Sequence, residues 1–324
     1  MNEENWMRTP IEPQSVDAPL SRSAVFLVLL VARNDDGSVV DGALDTIRDV
    51  LGDLGGLVRT VGFRDLAGHL SCVAGIGSDV WDDLLRLPRP AQLKPFVTKT
   101  GPVHTAPSTP GDLLFHIRAE REDMCFEFER ILLSKLGAAV TVADETSAFR
   151  SFDSRDLLGF VDGTENLTGA GMAHWAVAGP DDPAAEGGSY VVVQKYLHDL
   201  TAWESLPVEV QERVIGRTKL DNIELDDVEG SGKAHKTLTT IVDDDGVEHD
   251  ILRDNMPFGR PGHAEFGTYF IGYSRDLWVI ERMLDAMFLG DPIGSYDRML
   301  DFSTPVTGST FFAPSNDVLE ALGD

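Results

Sequence analysis

The sequence predicts an α+β protein built from two tandem ferredoxin-like domains with antiparallel sheets. Its length of 324 residues suits two domains, because a single domain typically holds roughly 100–200 residues. In the first half, apolar runs follow the order β-α-β-β-α-β with a few short additions, and the second half repeats this order more loosely. We therefore predict an N-terminal domain over residues 1–152 and a C-terminal domain over residues 153–324.

Hydrophobic patterning predicts each element of the first half. The apolar run 25–31 is typical of a strand buried on both faces. Ile47, Leu51 and Leu54 then recur at helical spacing, and the glycine pair at 55–56 is predicted to end that helix. Further strands are predicted at 57–63, 69–74, 113–119 and 138–142, and further helices at 81–87 and 124–132.

The second half shows the same strand and helix signals with longer interruptions. Strands are predicted at 190–194, 268–273 and 310–313, and helices at 208–215 and 280–288. Two segments, 169–188 and 216–262, are rich in glycine and polar residues and show little periodicity. Loops of that length inside a compact domain usually carry function or are disordered.

The chain is strongly acidic. Lys plus Arg total 27 and Asp plus Glu total 54, which gives a formal net charge of −27 at pH 7. Such a charge repels phosphate backbones and anionic lipid, so we exclude nucleic-acid binding and membrane association as main functions. Cys72 and Cys125 cannot form a disulfide framework and suit a reducing compartment. The start of the chain lacks the basic region of a signal peptide, and we expect a cytoplasmic protein.

A glycine-flanked aspartate stands in the segment LGFVDGTEN, residues 158–166. Asp162 can act there as a functional acid, and Gly163 would allow the backbone to approach a ligand closely. The alternative is an ordinary Asp-Gly turn between two elements. The G-x-x-D-G pattern alone does not decide between these interpretations.

His235 follows a glycine-containing stretch and precedes the apolar Leu238. A neutral imidazole at this position can ligate a metal, whereas the alternative is a solvated loop histidine. The 8 histidines of the chain show no H-x₃-H or H-E-x-x-H spacing. A zinc site of familiar type is therefore not predicted.

Two basic positions stand out in this acidic chain. Arg253 lies in ILRDNMPFG with Asn255 just ahead of a proline, and it can bind an anion or polarise an oxygen ligand. The alternative is a surface arginine paired with a neighbouring aspartate. Arg217 lies in IGRTK and can bind a carboxylate through two hydrogen bonds, or it can pair with the acids that follow it.

Together these motifs resemble the dye-decolorising peroxidases, and among them the bacterial subgroup called class B. The matching stretches occur in the family's order and with its spacing, and the N-terminal half also fits, so that the resemblance covers nearly the whole chain. The stretches are GFVDGTEN (159–166), VIGRTKLDNIELDD (214–227), ILRDNMPFG (251–259), GTYFIGYS (267–274) and MLDFSTPVTGSTFF (299–312), together with the isolated His235.

The resemblance implies one haem b held by the C-terminal domain, in a fold of the dimeric α+β barrel type. His235 corresponds to the axial ligand of the haem iron, and Asp297 to the acid that accepts that histidine's other N–H. Arg217 corresponds to an arginine on a haem propionate, and Arg253 to one that contacts the haem from the other side. The chain lacks a C-x-x-C-H motif, so haem would be bound non-covalently.

The resemblance also implies a catalytic group formed by Asp162, Arg253 and Asn255. Asp162 would move the proton of hydrogen peroxide between its two oxygens, and Arg253 would stabilise the negative charge that develops as the O–O bond breaks. An aspartate has an ordinary pKa of about 3.9, against about 6.5 for histidine. We therefore expect an acidic optimum at roughly pH 4–5.

The implied function is a haem peroxidase that reduces hydrogen peroxide and oxidises dyes, phenolic compounds or similar donors through a ferryl intermediate. Two alternatives are a haem-binding or haem-delivery protein on the same scaffold, and a structural or metal-binding protein without haem. The pairing of Asp162 with Arg253 favours catalysis. Electrons from bulky donors would pass through aromatic side chains, among which the sequence does not choose: Trp175, Trp203, Trp278, Tyr190, Tyr196 and Tyr273.

Further partners follow only from the resemblance. Family members form homo-oligomers, and some are packaged in encapsulin shells through a C-terminal peptide. Only about ten residues follow the last motif here, so the sequence itself offers no support for packaging. Three acids, Glu165, Glu224 and Glu248, could gather Mn²⁺ near the haem, with a solvated acidic face as the alternative.

Overall fold

A computed structural model describes residues 11–163, 170–228 and 232–323. In its N-terminal half the strands are β1 (Ser23–Val31), β2 (Ser71–Gly77), β3 (Lys99–Thr100), β4 (Thr105–Ala106), β5 (Leu113–Ala119) and β6 (Val140–Phe149). The helices of this half are α1 (Ala43–Gly52), α2 (Leu54–Gly62), α3 (Ser78–Leu85) and α4 (Glu122–Leu136).

The C-terminal half contains more and shorter elements. Its strands are β7 (Ser189–His198), β8 (Ile241–Val242), β9 (Glu248–His249), β10 (Leu252–Arg253), β11 (Met256–Arg260), β12 (Glu265–Ser274), β13 (Ser303–Pro305) and β14 (Ser309–Ala313). Its helices are α5 (Ala170–Ala176), α6 (Leu200–Glu204), α7 (Val208–Ile215), α8 (His235–Thr239), α9 (Leu277–Phe288) and α10 (Asn316–Glu320).

Each half forms the strand order of a ferredoxin-like unit. The order is β6-β1-β5-β2 in the first half and β14-β7-β12 in the second, where β10 and β11 both pair with the far side of β12. In both units the first and third main strands therefore lie at the centre of the sheet. The pairings within each unit are antiparallel, which confirms the predicted α+β fold of two such units.

The two units join edge to edge through one short pairing. Phe311 and Phe312 of β14 pair with Gly77 and Ile76 of β2. The continuous sheet then runs from β10 at one end to β6 at the other. Within the described part of the chain, no strand pairing joins these two ends into a closed barrel.

The sheet buries both of its faces. One face is covered by helices such as α1, α4 and α9, whose apolar residues share a core with alternate residues of the strands. On the other face the two units pack directly on each other, where Phe26 of β1 stacks on Tyr269 of β12 with ring centroids 4.1 Å apart and planes at 10°. Burial on both faces explains why β1 is a continuous apolar run.

One predicted strand is wrong. Residues 57–63 were expected to be a strand, but they lie in helix α2, which buries Leu54, Leu57 and Val61. These positions recur at i, i+3 and i+7 and so form one face of a helix. The glycine pair at 55–56 accordingly lies inside α2, and the preceding helix α1 ends at Gly52 instead.

The long segment 216–262 is also more ordered than its composition indicates. It contains α8 and the strands β8 to β11, and β11 pairs with β12 over five residues from Met256 to Arg260. These strands are too short to show periodicity in the sequence. The positions of β10 and β11 are set by pairing with β12, whereas β8 and β9 pair with each other. Local preference does not set them.

Gly77, on the strand that joins the other unit, is expected to be intolerant of a side chain because the backbone at 111–112 lies close to it. A Cβ at this position would lie 2.5 Å from the backbone oxygen of Gly111, which cannot rotate away. We expect Gly77→Ala to lower the free energy of unfolding by roughly 1–3 kcal/mol in chemical denaturation. Gly262→Ala is the control, since a Cβ there meets nothing within 4 Å. Equal losses for both variants would contradict the close approach at the junction.

Candidate active site

A cavity that is partly open to solvent lies in the C-terminal half. Strands β7, β10 and β12 form one part of its wall, and helices α8 and α9 form another. Residues selected from separate sequence motifs meet here, since the cavity is lined by Asp162, Arg217, His235, Arg253 and Asn255.

His235 is the first residue of α8 and is held by a buried carboxylate. Its Nδ1 lies 2.6 Å from Oδ2 of Asp297, whose side chain is 0% exposed. The other oxygen, Oδ1, accepts the backbone N–H of Met299 at 2.9 Å, which fixes the carboxylate at the start of a short 3₁₀ helix. Among the described residues, Nε2 of His235 has no hydrogen-bond partner, so one ring nitrogen is oriented and the other is available at the cavity.

Asp162 lies in a tight turn, as one sequence interpretation expected, and it also lines the cavity, where the other interpretation would place a functional acid. Its backbone N–H donates to the carbonyl of Ser154 at 2.8 Å, and Gly163 follows with φ of 77°, in the left-handed region that favours glycine. Burial raises the pKa of the Asp162 carboxyl, and the positive charge of Arg253 opposes this rise. Asp162 therefore holds its proton more readily than an exposed aspartate.

Asp156 lines the same cavity and was not selected from the sequence. Burial raises its pKa to about 7, and the charge of Asp162 adds to the rise. Its Oδ1 accepts the backbone N–H of Phe160 at 2.9 Å. The available signal was an acid three residues ahead of Gly159, but spacing alone does not reveal that this acid is buried beside a second one.

Arg253 and Asn255 line the cavity, whereas the residue between them faces the opposite way. Asp254 is bound by two arginines of the N-terminal half, Arg118 at 3.3 Å and Arg150 at 3.0 Å. Alternation of side chains along an extended segment accounts for this arrangement. Sequence reasoning considered Asp254 only as a partner for Arg253 and missed its contact with the other unit.

Arg217 combines the two environments considered for it. Its Nη2 donates to Oε1 of Glu224 at 2.8 Å, and Lys236 binds the other oxygen of Glu224 at 2.9 Å. These cations lower the pKa of Glu224, with the Lys236 hydrogen bond as the larger cause. The Arg217 side chain is only 13% exposed and also lines the cavity.

Strand β7 presents three polar side chains to the cavity at alternate positions, namely Gln194, Tyr196 and His198. Oε1 of Gln194 accepts the Tyr196 hydroxyl at 2.8 Å, but the fully buried Nε2 of Gln194 has no partner among the described residues. Buried donors are normally satisfied, so this amide indicates that a bound group completes the site. The sequence signal was the occurrence of polar residues every second position in an otherwise apolar strand.

The opposite wall of the cavity is apolar. Helix α9 contributes Ile280, Met283, Leu284 and Met287 to the lining, at the i, i+3, i+4 and i+7 positions of one helix face. Phe270 of β12 adds an aromatic ring. The cavity thus combines a broad apolar surface with a few convergent polar groups, as is typical of sites for organic ligands.

The described residues do not contain a protein-only metal site. Within 11–163, 170–228 and 232–323, no group of three or more His, Cys, Asp or Glu side chains is placed to hold a metal ion. Of the three acids considered for Mn²⁺, Glu165 lies outside the described residues, Glu224 is paired with Arg217, and Glu248 lines the cavity. In the same part of the chain, no helix is both long and apolar enough to cross a membrane.

Comparisons with known proteins agree with these motifs. Two family models match the chain, described as Dyp-type peroxidase, N-terminal, over residues 13–150, and Dyp-type peroxidase, C-terminal, over residues 153–318. A dye-decolorizing peroxidase of Mycobacterium tuberculosis is 55% identical over 310 residues, which cover 96% of this chain and 90% of that protein.

Solved structures give the same result. An arginine-to-leucine variant of DypB from Rhodococcus jostii RHA1, in complex with heme, has a TM-score of 0.91 and 59% identity, covering 96% of this chain and 99% of that chain. The encapsulated DyP-type peroxidase of Mycobacterium smegmatis has a TM-score of 0.90 and 54% identity, covering 96% and 98%.

Both units of the chain therefore match a single class of enzyme, the peroxidases. The chain belongs to the Dyp-type peroxidase family. This membership confirms the resemblance drawn from the motifs, and the likeness to DypB agrees with the predicted class B subgroup.

His198 is expected to make folding stability depend on pH. Burial lowers its pKa to about 4, and its two ring nitrogens lie 2.9 Å from the hydroxyls of Ser303 and Thr268. An unfolded histidine takes up a proton near pH 6.5, at about 2.5 units higher pH. The contribution of His198 is therefore complete above about pH 6.5 and is lost as the pH falls toward 4, by an amount on the order of 3 kcal/mol.

This effect can be measured by urea denaturation at several pH values between about 7.5 and 4. His198→Gln should show a flatter dependence than the wild type, because glutamine does not titrate. His263→Gln, at an exposed histidine, is the matched control and should retain the wild-type slope. Identical slopes for His198→Gln and the wild type would contradict a buried neutral ring at His198.

Proposed function

We propose that this chain is a haem peroxidase that binds one haem b non-covalently in the cavity of its C-terminal half, with His235 as the axial ligand. The observation that carries this proposal is the 2.6 Å bond between Nδ1 of His235 and the fully buried Asp297. A carboxylate on one ring nitrogen orients the imidazole and makes the other nitrogen a stronger donor toward iron. The solved heme complex of a DypB variant from Rhodococcus jostii RHA1 supports the choice of cofactor.

The residues present fit a haem. The apolar face of α9 suits a flat macrocycle, and Arg217 is a cation at the cavity that can bind a propionate. The unpartnered Nε2 of Gln194 shows that the polypeptide alone does not satisfy the lining. When bound, the haem supplies an iron that hydrogen peroxide can oxidise and that an electron donor can reduce again.

Asp162 is the proton carrier in this proposal. Hydrogen peroxide must lose a proton from one oxygen and gain one on the other before the O–O bond can break. A carboxylate oxygen of Asp162 takes the first proton and returns it to the leaving oxygen. Burial keeps this carboxyl from losing its proton as readily as in water, so that it can both accept and donate near its working pH.

Arg253 and Asn255 stabilise charge and orient peroxide. The Arg253 guanidinium is permanently positive and lowers the cost of negative charge on the leaving oxygen. The side-chain carbonyl of Asn255 accepts the backbone N–H of Ile271 at 3.2 Å, which leaves its N–H₂ group to donate into the cavity. Together the three side chains distinguish a catalytic cavity from one that only stores haem.

Electron donors are small organic molecules such as dyes and phenols in this proposal, and an aromatic contact suggests where electrons enter. His249 lines the cavity, and the rings of Trp175 and Trp278 pack edge-on against it with centroids 5.0 and 4.8 Å away. Trp203, by contrast, is 1% exposed and donates its indole N–H to the carbonyl of Leu158. Of the three tryptophans considered from the sequence, Trp175 and Trp278 are therefore the favoured route.

Several broader expectations stay as proposals. We retain a boundary between residues 152 and 153, in line with the separate matches to 13–150 and 153–318. We also retain as proposals that the protein forms homo-oligomers, that it is cytoplasmic and that it is packaged in an encapsulin shell. The likeness to the encapsulated Mycobacterium smegmatis protein supports packaging.

An absorption spectrum before and after one equivalent of hydrogen peroxide tests the proposed function. We expect a Soret band that changes within milliseconds of mixing and returns when a phenolic donor is added. A band that peroxide only bleaches slowly would favour haem binding or delivery over catalysis. Absence of any Soret band after reconstitution with haem would overturn the proposal.

His235→Ala is expected to lose haem because it removes the proposed ligand. Asp297→Asn keeps an oxygen that can accept from the histidine ring but removes the negative charge, so haem should be retained with a raised reduction potential. Haem content is measured by absorbance after gel filtration, and the potential by spectroelectrochemical titration. His263→Ala, at an exposed position, controls for general effects on folding. Full haem retention by His235→Ala would refute the ligand assignment.

The proposal that Asp162 is the base predicts the acid limb of the pH profile, which is the fall in the rate of the peroxide reaction at low pH. Burial raises the pKa of Asp162 above the ordinary aspartate value of about 3.9. As the pH is lowered, the rate should therefore begin to fall at a higher pH than it would with an unperturbed aspartate. The pH optimum should be higher for the same reason. Arg253→Met removes a charge that lowers this pKa, so the limb should move to still higher pH and the rate should drop by roughly 10²–10³-fold. Stopped-flow absorbance at a series of pH values measures both effects. An unchanged limb in Asp162→Asn would show that another group titrates.

A further inference from the structure

Asp254 joins the proposed catalytic segment to the N-terminal unit through buried charges. Its side chain is 3% exposed, and its two oxygens bind Arg118 at 3.3 Å and Arg150 at 3.0 Å. Arg118, on β5, is itself only 1% exposed. We infer that Asp254, Arg118 and Arg150 form a positioning cluster that holds Arg253 and Asn255 at the cavity and sets the charge that Asp162 faces.

Both arginines are also held in place by hydrogen bonds within the N-terminal unit. Nη2 of Arg118 donates to the backbone carbonyl of Ser15, and Nε of Arg150 donates to that of Ser21 at 2.9 Å. The cations therefore have little freedom to follow Asp254. The two arginines therefore set the position of the Asp254 carboxylate, and with it the position of the backbone on either side.

Within its own unit the catalytic segment is attached to β12, which pairs with β10 and β11 on either side of Asp254. The backbone N–H of Asp254 donates to the carbonyl of Ile271 at 3.3 Å, and the side chain of Asn255 accepts from Ile271 at 3.2 Å. Both bonds run to β12 in the same unit. The two arginines supply the contact from the other side of the cavity wall and oppose rotation of the segment about its own axis.

The cluster also acts on Asp162 through charge. The groups that face Asp162 are Arg253, Arg150 and Asp254, with Asp156 titrating beside it. Arg150 favours the ionised form of Asp162 and Asp254 disfavours it, because they carry opposite charges.

His116 packs on this cluster without adding charge. Its Nε2 lies 3.9 Å from an oxygen of Asp254, and its Nδ1 lies 2.8 Å from the Tyr273 hydroxyl. Burial lowers the pKa of His116 well below its ordinary value, so the ring is neutral. Among the residues that the structure describes, the charge balance near Asp162 therefore depends on these arginines and aspartates.

This inference rests on the proposed role of Asp162, and its test uses two variants whose effects have opposite sign. Arg150→Met removes a cation and should move the titration of Asp162 to higher pH. Asp254→Asn removes an anion and should move it to lower pH, even if the rate falls because Arg253 and Asn255 are less well held. Generalised damage to the fold would not move the two midpoints in opposite directions.

The titration is read in the holoenzyme in two independent ways. The first is the infrared band of a protonated carboxyl, taken in an Asp156→Asn background as the difference from the same variant with Asp162→Asn added, so that Asp156 does not contribute. The second is the acid limb of the peroxide reaction. A shift of about half a pH unit corresponds to a roughly threefold change in rate at a fixed pH below the midpoint. We expect shifts of at least this size in each direction.

Two further variants control for effects other than the charge near Asp162. Lys195→Met is the control, because it breaks a similar ion pair elsewhere. Lys195 lies 3.0 Å from Asp144, the same distance as between Arg150 and Asp254, and both cations are 16% exposed. It should leave both midpoints unchanged. Arg150→Lys retains the charge and should keep the midpoint near that of the wild type.

Shifts of the same sign in Arg150→Met and Asp254→Asn, or an equal shift in Lys195→Met, would overturn the inference. If Asp254→Asn does not fold, the comparison of Arg150→Met with Arg150→Lys decides alone. If Asp162→Asn keeps full peroxide reactivity, the proposed function of Asp162 fails. The infrared midpoints would still report whether the cluster sets the charge at that carboxyl.

Discussion

The contact between the inner faces of the two half-sheets is the constraint on which the rest of the structure depends. Phe26 stacks on Tyr269 across this layer, with ring centroids 4.1 Å apart. A charged group in this buried layer needs a partner, because an unpaired buried charge is costly in free energy. Asp254 therefore meets Arg118 and Arg150, and the cavity wall that carries Arg253 takes its position from the N-terminal unit. This accounts for the influence of a unit whose described residues do not line the cavity.

Three aspartates at the cavity lie in three environments. Asp297 has strong partners, the ring of His235 and the N–H of Met299, so its carboxylate orients that ring. Asp162 is buried but faces Arg253, whereas burial and the charge of Asp162 raise the pKa of Asp156 to about 7. Neighbouring acids whose pKa values are raised, as those of Asp162 and Asp156 are, are typical of sites that move protons. The rise follows from position in the fold and not from residue type.

The same burial that tunes the cavity also limits the acidity that the fold tolerates. His198 and His116 are buried as neutral rings, and burial lowers the pKa of each. Unfolded chains take up protons on these residues at a pH where the folded chain does not, which favours unfolding in acid. The raised pKa of Asp162 moves its titration toward the pH range in which these histidines do not destabilise the fold. This matters for the proposal that Asp162 carries the proton, because the enzyme would then work at a pH where it stays folded.

The sequence by itself determined the α+β class, most of the long strands and helices, and the motifs that contain Asp162, Arg217, His235 and Arg253. These features are local, since periodicity and turn residues appear in neighbouring positions of the chain. Tertiary structure alone decided that short strands form in 252–260, and that Asp156, Gln194 and Asp254 belong with the site. Each of these depends on burial or pairing with residues distant in sequence. A carboxylate that meets arginines 104 and 136 positions away leaves no local pattern by which it can be recognised.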